Sequence, residues 1–269
     1  MTDFKDFLPI ISGAIGGATT SGVFNGPIQT LQDWWYVKYG YKASDQAALL
    51  KAKQEANVEK LKRDILNEVD QIPIENIQEP KLKILGPALD ASRYYIEEEE
   101  LRKMFAKIIA SSLDNRKNTL VHSSFVEILK QLDVLDVKIL KYFKDNNNFS
   151  SVSSVPLMKM FIRENSGIRM TLPLIFLTED FQDIRQNAAA LINLERLGLI
   201  AIKDGGYISN EKEYDFIKNH PTIITMMNDH PEFELGKSYF SITDLGQNFI
   251  NICACLLYTS DAADDNVRV

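Results

Sequence analysis

The sequence predicts a mainly α-helical fold with a small β component. A helical N-terminal region (residues 1–131) precedes a C-terminal winged helix-turn-helix with an enlarged wing (residues 132–254). Three observations support this fold class. Apolar residues recur at helical spacing in residues 44–71 and 88–113. A helical stretch ending in LERLG leads into LIAIKDGGYIS, which is typical of strand, turn and strand. A later strand, KSYFSIT, leads into a terminal helix that begins near Asp244.

Two long amphipathic helices form the predicted N-terminal region. Ser44 is the expected N-cap of the first, and Ser124 and Glu127 fit the capping box of a later short helix. The intervening IPIENIQEPKLKILGP has three prolines and should be extended, because residues before proline avoid the helical region. The second helix is expected to bury a stripe against the first, formed by Leu101, Phe105 and Ile109.

The C-terminal region is predicted to begin with an amphipathic helix at Leu135–Phe143, followed by the loop-like KDNNNFSSVSS. Thr178 is the expected N-cap of the next helix, with Glu179 and Asp180 in its first turn, where the helix dipole favours acids. About 27 residues, Ser209 to Leu235, separate the two wing strands, and they include a predicted short helix, EKEYDFIKNH.

Charge disfavours nucleic acid as a partner. The chain has a formal net charge of -7, and residues 132–254 carry 12 Lys+Arg against 16 Asp+Glu. Because neutralising phosphates dominates affinity for DNA, an acidic domain is a poor DNA binder. A DNA-binding regulator nevertheless stays open, since the helix before a wing normally enters the major groove. Its outward side would offer residues for DNA or partner contact: Gln182, Arg185, Gln186, Asn193 and Arg196.

The segment Leu8–Gln32 carries no charge. It is long enough to span a bilayer, but its glycines, prolines and hydroxyl residues make it far from continuously apolar. It has neither the spacing of a phosphate loop nor the pattern of a signal peptide. We interpret it as a small-residue helix or loop packed on the domain, with reversible membrane contact as the alternative. The only two cysteines, Cys253 and Cys255, form no disulfide framework, so a reducing cytoplasm is the expected compartment.

The last 15 residues, CLLYTSDAADDNVRV (residues 255–269), are interpreted as translated sequencing adapter. CLLYTS and DAAD are what a common transposon adapter encodes in one reading frame. A natural polar tail is the alternative. If the adapter reading is right, the spacing of the two cysteines is accidental.

Several strings carry a family likeness. IPIENIQEPKLKILGPALDASRYYIEEEELRKMFAKIIASSLD and VHSSFVEILKQLDVLDVKILKYF resemble the central signature of the Abi-alpha (abortive infection alpha) family. LINLERLGLI and YFSITDLGQNF match its C-terminal part. The resemblance implies a bacterial, phage or mobile-element protein that acts in abortive infection, in which an infected cell stops growing or dies before phage are released. It implies no catalytic residues.

Sequence motifs give no sign of an enzyme. The chain has no HExxH, GxSxG, paired CxxC or Walker motif, and its three histidines are scattered. The acidic run Glu97–Glu100 would point around a helix rather than at one metal site. We therefore expect no catalytic, metal or cofactor site. The leading hypothesis is a phage-defence factor that acts through a protein partner or self-association. The alternatives are a winged-helix DNA-binding regulator and a membrane-acting effector using residues 8–32.

Overall fold

The computed structural model describes residues 44–146 and 154–254. The segment Leu8–Gln32 and the C-terminal residues 255–269 lie outside this part, so the predictions made for them stay predictions. Contacts divide the chain into two compact units. The front unit extends to Val126 and also takes in the chain from Ile252 onward, and the back unit is Glu127–Asn251.

The front unit is helical, as predicted. Its helices are α1 (Ser44–Val69), α2 (Leu82–Tyr95), α3 (Glu99–Ser111) and the start of α4 (Ser124–Leu129). The predicted stripe on α3 is confirmed, because Leu101, Phe105 and Ile109 are buried and α3 packs on α1. The matching stripe of α1 is also buried and consists of Val58, Leu61, Ile65 and Val69.

The second long helix of the sequence prediction is two helices, α2 and α3. The chain breaks at residues 96–98, and Glu98 occupies the N-cap position of α3. Glu99 and Glu100 therefore stand in the first turn of α3, where the helix dipole stabilises acids. Four consecutive carboxylates would repel one another in mid-helix without this benefit, which explains why the chain breaks beside the run.

The proline-rich segment, predicted to be extended, contains a 3-10 turn (Ile74–Asn76), and α2 begins after Lys81. The backbone N–H of Gln78 donates to the carbonyl of Leu113 at 2.8 Å, and its side-chain amide pairs with that of Asn118 at 2.7 and 2.8 Å. These bonds hold the segment against the end of α3. Pro87 lies within α2 on its exposed side, where the carbonyl that it leaves without a helical donor can bind water.

The end of the described chain, residues 252–254, belongs to the front unit. The buried Lys107 donates to the carbonyl of Ala254 at 2.5 Å, and Ser111 donates to that of Ile252 at 3.3 Å. Side chains of α3 thus satisfy carbonyls at the C-terminus of the last helix, where the dipole favours a cation.

The back unit combines a sheet with helices. It contains α5 (Val134–Asn146), β1 (Ser154–Glu164), β2 (Gly167–Ile175) and α6 (Ile184–Arg196). These are followed by β3 (Ile200–Lys203), α7 (Asp215–Lys218), α8 (Pro221–Asp229), β4 (Phe233–Ile242) and α9 (Asp244–Cys253). The four strands form one antiparallel sheet in the order β2-β1-β4-β3.

The winged helix-turn-helix prediction is wrong, and the chain has a mixed α/β fold. The expected wing strands β3 and β4 do pair, from Ile200–Ile242 to Lys203–Tyr239. However, β4 also pairs with β1 along Ser154–Ile162, so it lies inside a larger sheet. The string GGYIS, expected as a wing strand, forms no strand.

Neither β1 nor β2 was predicted from the sequence. Neighbouring residues of β1 are buried on both of its faces, as at Leu157 and Met158, so the alternation typical of a half-buried strand is missing. Most of β2 is exposed at the edge of the sheet; its apolar residues alternate from Ile168 to Leu174, a strand signal that was missed.

The segment between β3 and β4 covers one part of the sheet. It forms a 3-10 turn (Glu211–Tyr214), α7 and α8, which agrees with the helix predicted within the enlarged wing. Its buried side chains Tyr214, Ile217 and Ile223 share one core cluster with Met158 and Met160 of β1. This segment is thus part of the hydrophobic core rather than a surface wing.

We predict that Phe105→Ala destabilises the front unit by about 3–5 kcal/mol, because it removes a fully buried ring that stacks on Tyr95 at 5.4 Å. Glu98→Ala is the matched control on the same helix, since Glu98 is exposed and makes no side-chain cap bond. Urea denaturation would measure both free energies of unfolding. Equal effects of the two changes would contradict the burial of the α3 stripe.

Candidate functional site

The five residues predicted to contact DNA or a partner lie on or just before α6, but they do not form one surface. The N-cap of α6 is Asp183, whose carboxylate accepts from the backbone N–H of Arg185 and Gln186. Thr178, predicted as the N-cap, instead lies in a separate turn in which Thr178 and Phe181 exchange backbone hydrogen bonds. The acids Glu179 and Asp180 therefore occupy this turn and not the first turn of the helix.

Asn193 and Arg196 bind within the back unit. Asn193 donates to the carbonyl of Gln131 at 3.0 Å and to Asp136 at 2.7 Å. Arg196 donates to the side chains of Gln131 at 3.0 Å and Asn193 at 2.7 Å. These bonds fasten α6 to the start of α5, so both residues have structural roles.

Asp136 is the buried acid of this network. Its carboxylate accepts from the backbone N–H of Asp133 at 2.9 Å, which caps α5. Burial raises the pKa of Asp136 above its ordinary value of 3.8, while the bonds from Asp133 and Asn193 oppose this effect. The charged form is thus present in the fold at a cost to stability.

Gln182 is exposed, but its side chain binds the acidic turn. Its amide N–H donates to the carbonyls of Thr178 at 2.5 Å and Glu179 at 3.1 Å, while its oxygen lies 2.7 Å from Nε2 of His220. Nδ1 of His220 accepts from the backbone N–H of Thr222 at the start of α8. The two ring nitrogens of His220 thus connect Gln182 with the start of α8, and these bonds hold the turn in place.

Gln182, Arg185, Gln186 and Arg196 are all exposed, but the side chains of Gln182 and Arg196 are engaged within the back unit. Within residues 44–146 and 154–254, the side chains of Arg185 and Gln186 form no hydrogen bond or ion pair; only their backbone N–H groups are engaged, by Asp183. The predicted five-residue contact face is therefore reduced to these two side chains.

A pocket in the back unit brings together residues that the sequence did not connect. Its volume is about 360 Å³. Tyr142 of α5, Phe176 after β2, and Phe216 and Ile217 of α7 supply apolar and aromatic lining. Glu179 and Asp180 of the turn and Glu213 of the 3-10 turn supply acidic lining. We refer to these seven residues as the acidic-aromatic pocket.

An aromatic cluster underlies the pocket. Tyr142 makes edge contacts with Phe176 at 5.9 Å and Phe181 at 5.6 Å, and Phe176 meets Phe240 edge-on at 5.7 Å. Phe176 and Phe240 are fully buried, whereas Tyr142 is half-buried. The rings fix one another, so the aromatic wall is built before any ligand arrives.

The acids of the pocket lack cationic partners. Across the described residues, Glu179, Asp180 and Glu213 form no ion pair, and Glu213 accepts a single side-chain bond, from Asn210 at 3.0 Å. Burial raises the pKa of Tyr142, and the negative charges of Asp180 and Glu213 raise it further. The pocket therefore has a negative potential against an aromatic wall. No group of three potential metal ligands occurs in the described part of the chain.

Sequence reasoning missed this pocket because its acids are far apart in the chain. Glu179 and Asp180 had been assigned to a helix N-terminus, and Glu213 to the enlarged wing. Only the packing of the segment between β3 and β4 against the sheet places Glu213 near the turn.

A comparison with protein families decides the relationship of the chain. The family model described as Abortive infection alpha matches residues 53–253, which include every residue of the acidic-aromatic pocket. The chain belongs to the abortive infection alpha family. No curated protein and no solved structure matches this abortive infection alpha chain. Among the residues that the structure describes, no helix is both long and apolar enough to cross a membrane.

We predict that Asp136→Asn makes the chain progressively more stable, relative to the unsubstituted protein, as pH rises. A raised pKa in the fold means that the stability contributed by Asp136 is complete below about 3.8 and is lost as pH rises through the folded-state value. Asn keeps an acceptor for the cap and cannot ionise. Thermal melts between pH 3 and 7 would follow the difference, with the exposed Asp229→Asn as control. If the difference in melting temperature between the variant and the unsubstituted protein does not change with pH, burial does not destabilise the charged form of Asp136.

We also predict that binding of duplex DNA is weak and unspecific, with a small dependence on salt. Arg196 is held by Gln131 and Asn193, so Arg185 is the only α6 cation in the predicted contact set with an unoccupied side chain among the described residues. Each neutralised phosphate adds ~0.9 to the salt slope, so the slope should be small. Fluorescence anisotropy with genomic fragments at physiological salt would measure it. Sub-micromolar, sequence-dependent binding that Arg185→Ala abolishes would refute this prediction.

Proposed function

We propose that the chain acts in abortive infection by binding a protein partner through the acidic-aromatic pocket, and that its role is recognition rather than catalysis. Membership of the abortive infection alpha family supports the biological setting. The pocket supports the mode of action, because three carboxylates without cationic partners face a prebuilt aromatic wall.

The charge of the pocket favours a cation as its ligand. Three exposed carboxylates line one cavity, and no ion pair within the described back unit offsets them. Their combined negative potential would attract a cationic group, and the aromatic wall would add to that attraction.

The partner would supply complementary charge. Charged pairs at the edge of an interface guide association and specificity, whereas buried aromatic groups contribute most of the affinity. Binding at this pocket would link the presence of a phage or host protein to the growth arrest that defines abortive infection.

We predict that a triple variant, Glu179→Gln, Asp180→Asn and Glu213→Gln, loses protection against phage while remaining folded. Protection would be measured as plating efficiency over a phage panel, together with survival of infected cells, with and without expression. The substitutions affect exposed side chains, so the melting temperature should fall little or not at all.

The matched control changes charge by the same amount elsewhere: Asp70→Asn, Glu98→Gln and Asp229→Asn, all at exposed positions. This control should protect like the unsubstituted chain. Full protection by the pocket variant would show that phage protection does not depend on the pocket. Lack of protection by the unsubstituted chain against every phage would contradict the role in abortive infection.

A further inference from the structure

We propose that the acidic-aromatic pocket binds an arginine side chain of the partner protein, an inference that rests on the proposed function for its biological setting and on the cavity for its chemistry. The guanidinium would lie against the aromatic wall of Tyr142 and Phe216 and pair with Asp180 and Glu213. The proposal names the class of ligand that this cavity takes.

The size of the cavity fits a single side chain. Its volume of about 360 Å³ is at the small end of the ~300–1,000 Å³ that ligand pockets span. The phosphates of a nucleotide would be repelled by the three acids.

The lining distinguishes an organic cation from a metal ion. Metal sites converge several oxygen or nitrogen ligands on one point, and the described residues contain no such group. Here the acids line the same cavity as apolar rings, of which Phe216 is 42% exposed and Phe176 is fully buried. Aromatic faces attract cations, and carboxylates pair with them.

Guanidinium fits this lining better than ammonium. It is planar, stacks on aromatic rings, is weakly hydrated and presents a fork of N–H donors to carboxylates. The acids are solvent-exposed, and exposed ion pairs contribute little, so a strongly hydrated lysine ammonium would gain less from leaving water. The aromatic wall thus favours arginine.

The mouth of the pocket favours a residue within a polypeptide over free arginine. The α-carboxylate of the free amino acid would be repelled by the acids, while its α-ammonium, like the side-chain ammonium of lysine, gains little from pairing with exposed carboxylates. A peptide has no such charge, and its flanking residues can cover the exposed ring of Phe216. Arginine and aromatic residues are also enriched where proteins bind each other.

The proposal is tested by titrating the full chain with capped tripeptides and following backbone amide signals by NMR. The probes are acetyl-Gly-Arg-Gly-amide, its lysine counterpart, its citrulline counterpart, which has nearly the same shape without charge, and free L-arginine. We expect shifts at residues 178–180 and 213–217 with the arginine peptide. We expect binding at least severalfold weaker with lysine and free arginine, and none detectable with citrulline.

Substitutions assign these shifts to the pocket. Asp180→Asn with Glu213→Gln should weaken binding of the arginine peptide by roughly 2–30-fold, the sum of two exposed ion pairs. Phe216→Ala should weaken it by roughly 2–5-fold through loss of the cation–π contact. The control with changes at Asp70, Glu98 and Asp229 should bind like the unsubstituted chain. Melting temperatures verify that each variant is folded.

Each alternative outcome overturns a defined part of the proposal. Equal binding of citrulline would exclude recognition of a cation, and equal binding of lysine would exclude selection of guanidinium. Tighter binding of free arginine would replace the protein partner with a small molecule. Shifts that survive the pocket substitutions would place the site elsewhere. Arginine binding without phage protection would keep the pocket assignment and refute the proposed function alone.

Discussion

The buried ring of Tyr214 ties the segment between β3 and β4 to the sheet, and the arrangement of the back unit depends on this anchor. Its hydroxyl donates to the carbonyl of Ser238 in β4 at 3.1 Å and accepts from the backbone N–H of Ile208 at 2.8 Å. The ring itself is fully buried beside Met158 and Met160. Because Glu213 directly precedes Tyr214 and Phe216 follows two residues later, the same anchor fixes one side of the pocket.

Polar bonds fix the other side of the pocket, and the same bonds engage most of the charged residues at α6. Asp183 caps the helix, and Glu195 accepts from the backbone N–H of Ile202 at 2.8 Å. Gln182 and His220 together connect the acidic turn with the start of α8. Residues that were expected to contact a partner thus position the backbone, whereas Glu179 and Asp180 line the pocket.

Local patterns were sufficient to predict α1 and the buried stripe of α3. Apolar residues at helical spacing lie on one face of a helix, and that face is the one that becomes buried. Local patterns failed for β1, because that strand is buried on both faces and does not alternate. The strand β2 does alternate, from Ile168 to Leu174, and this local signal was missed. Local patterns also placed Glu179 and Asp180 at a helix start when the capping residue is Asp183. The candidate site was beyond reach for a different reason. Glu213 meets the turn only through packing between distant segments, which no spacing in the sequence encodes.

The strand order has a consequence for synthesis of the chain. The strand β1 pairs with β4 in the middle of the sheet. Ser154 therefore cannot pair with Ser241 until the chain has been synthesised through β4. Pairing between such distant residues is slow and entropically costly. A nascent chain exposes the aromatic and methionine residues of β1 while the intervening segment is still being made. A polypeptide whose translation stops within α8 would already contain all three pocket acids, but it would lack the strand that anchors Tyr214 and would therefore present no formed pocket.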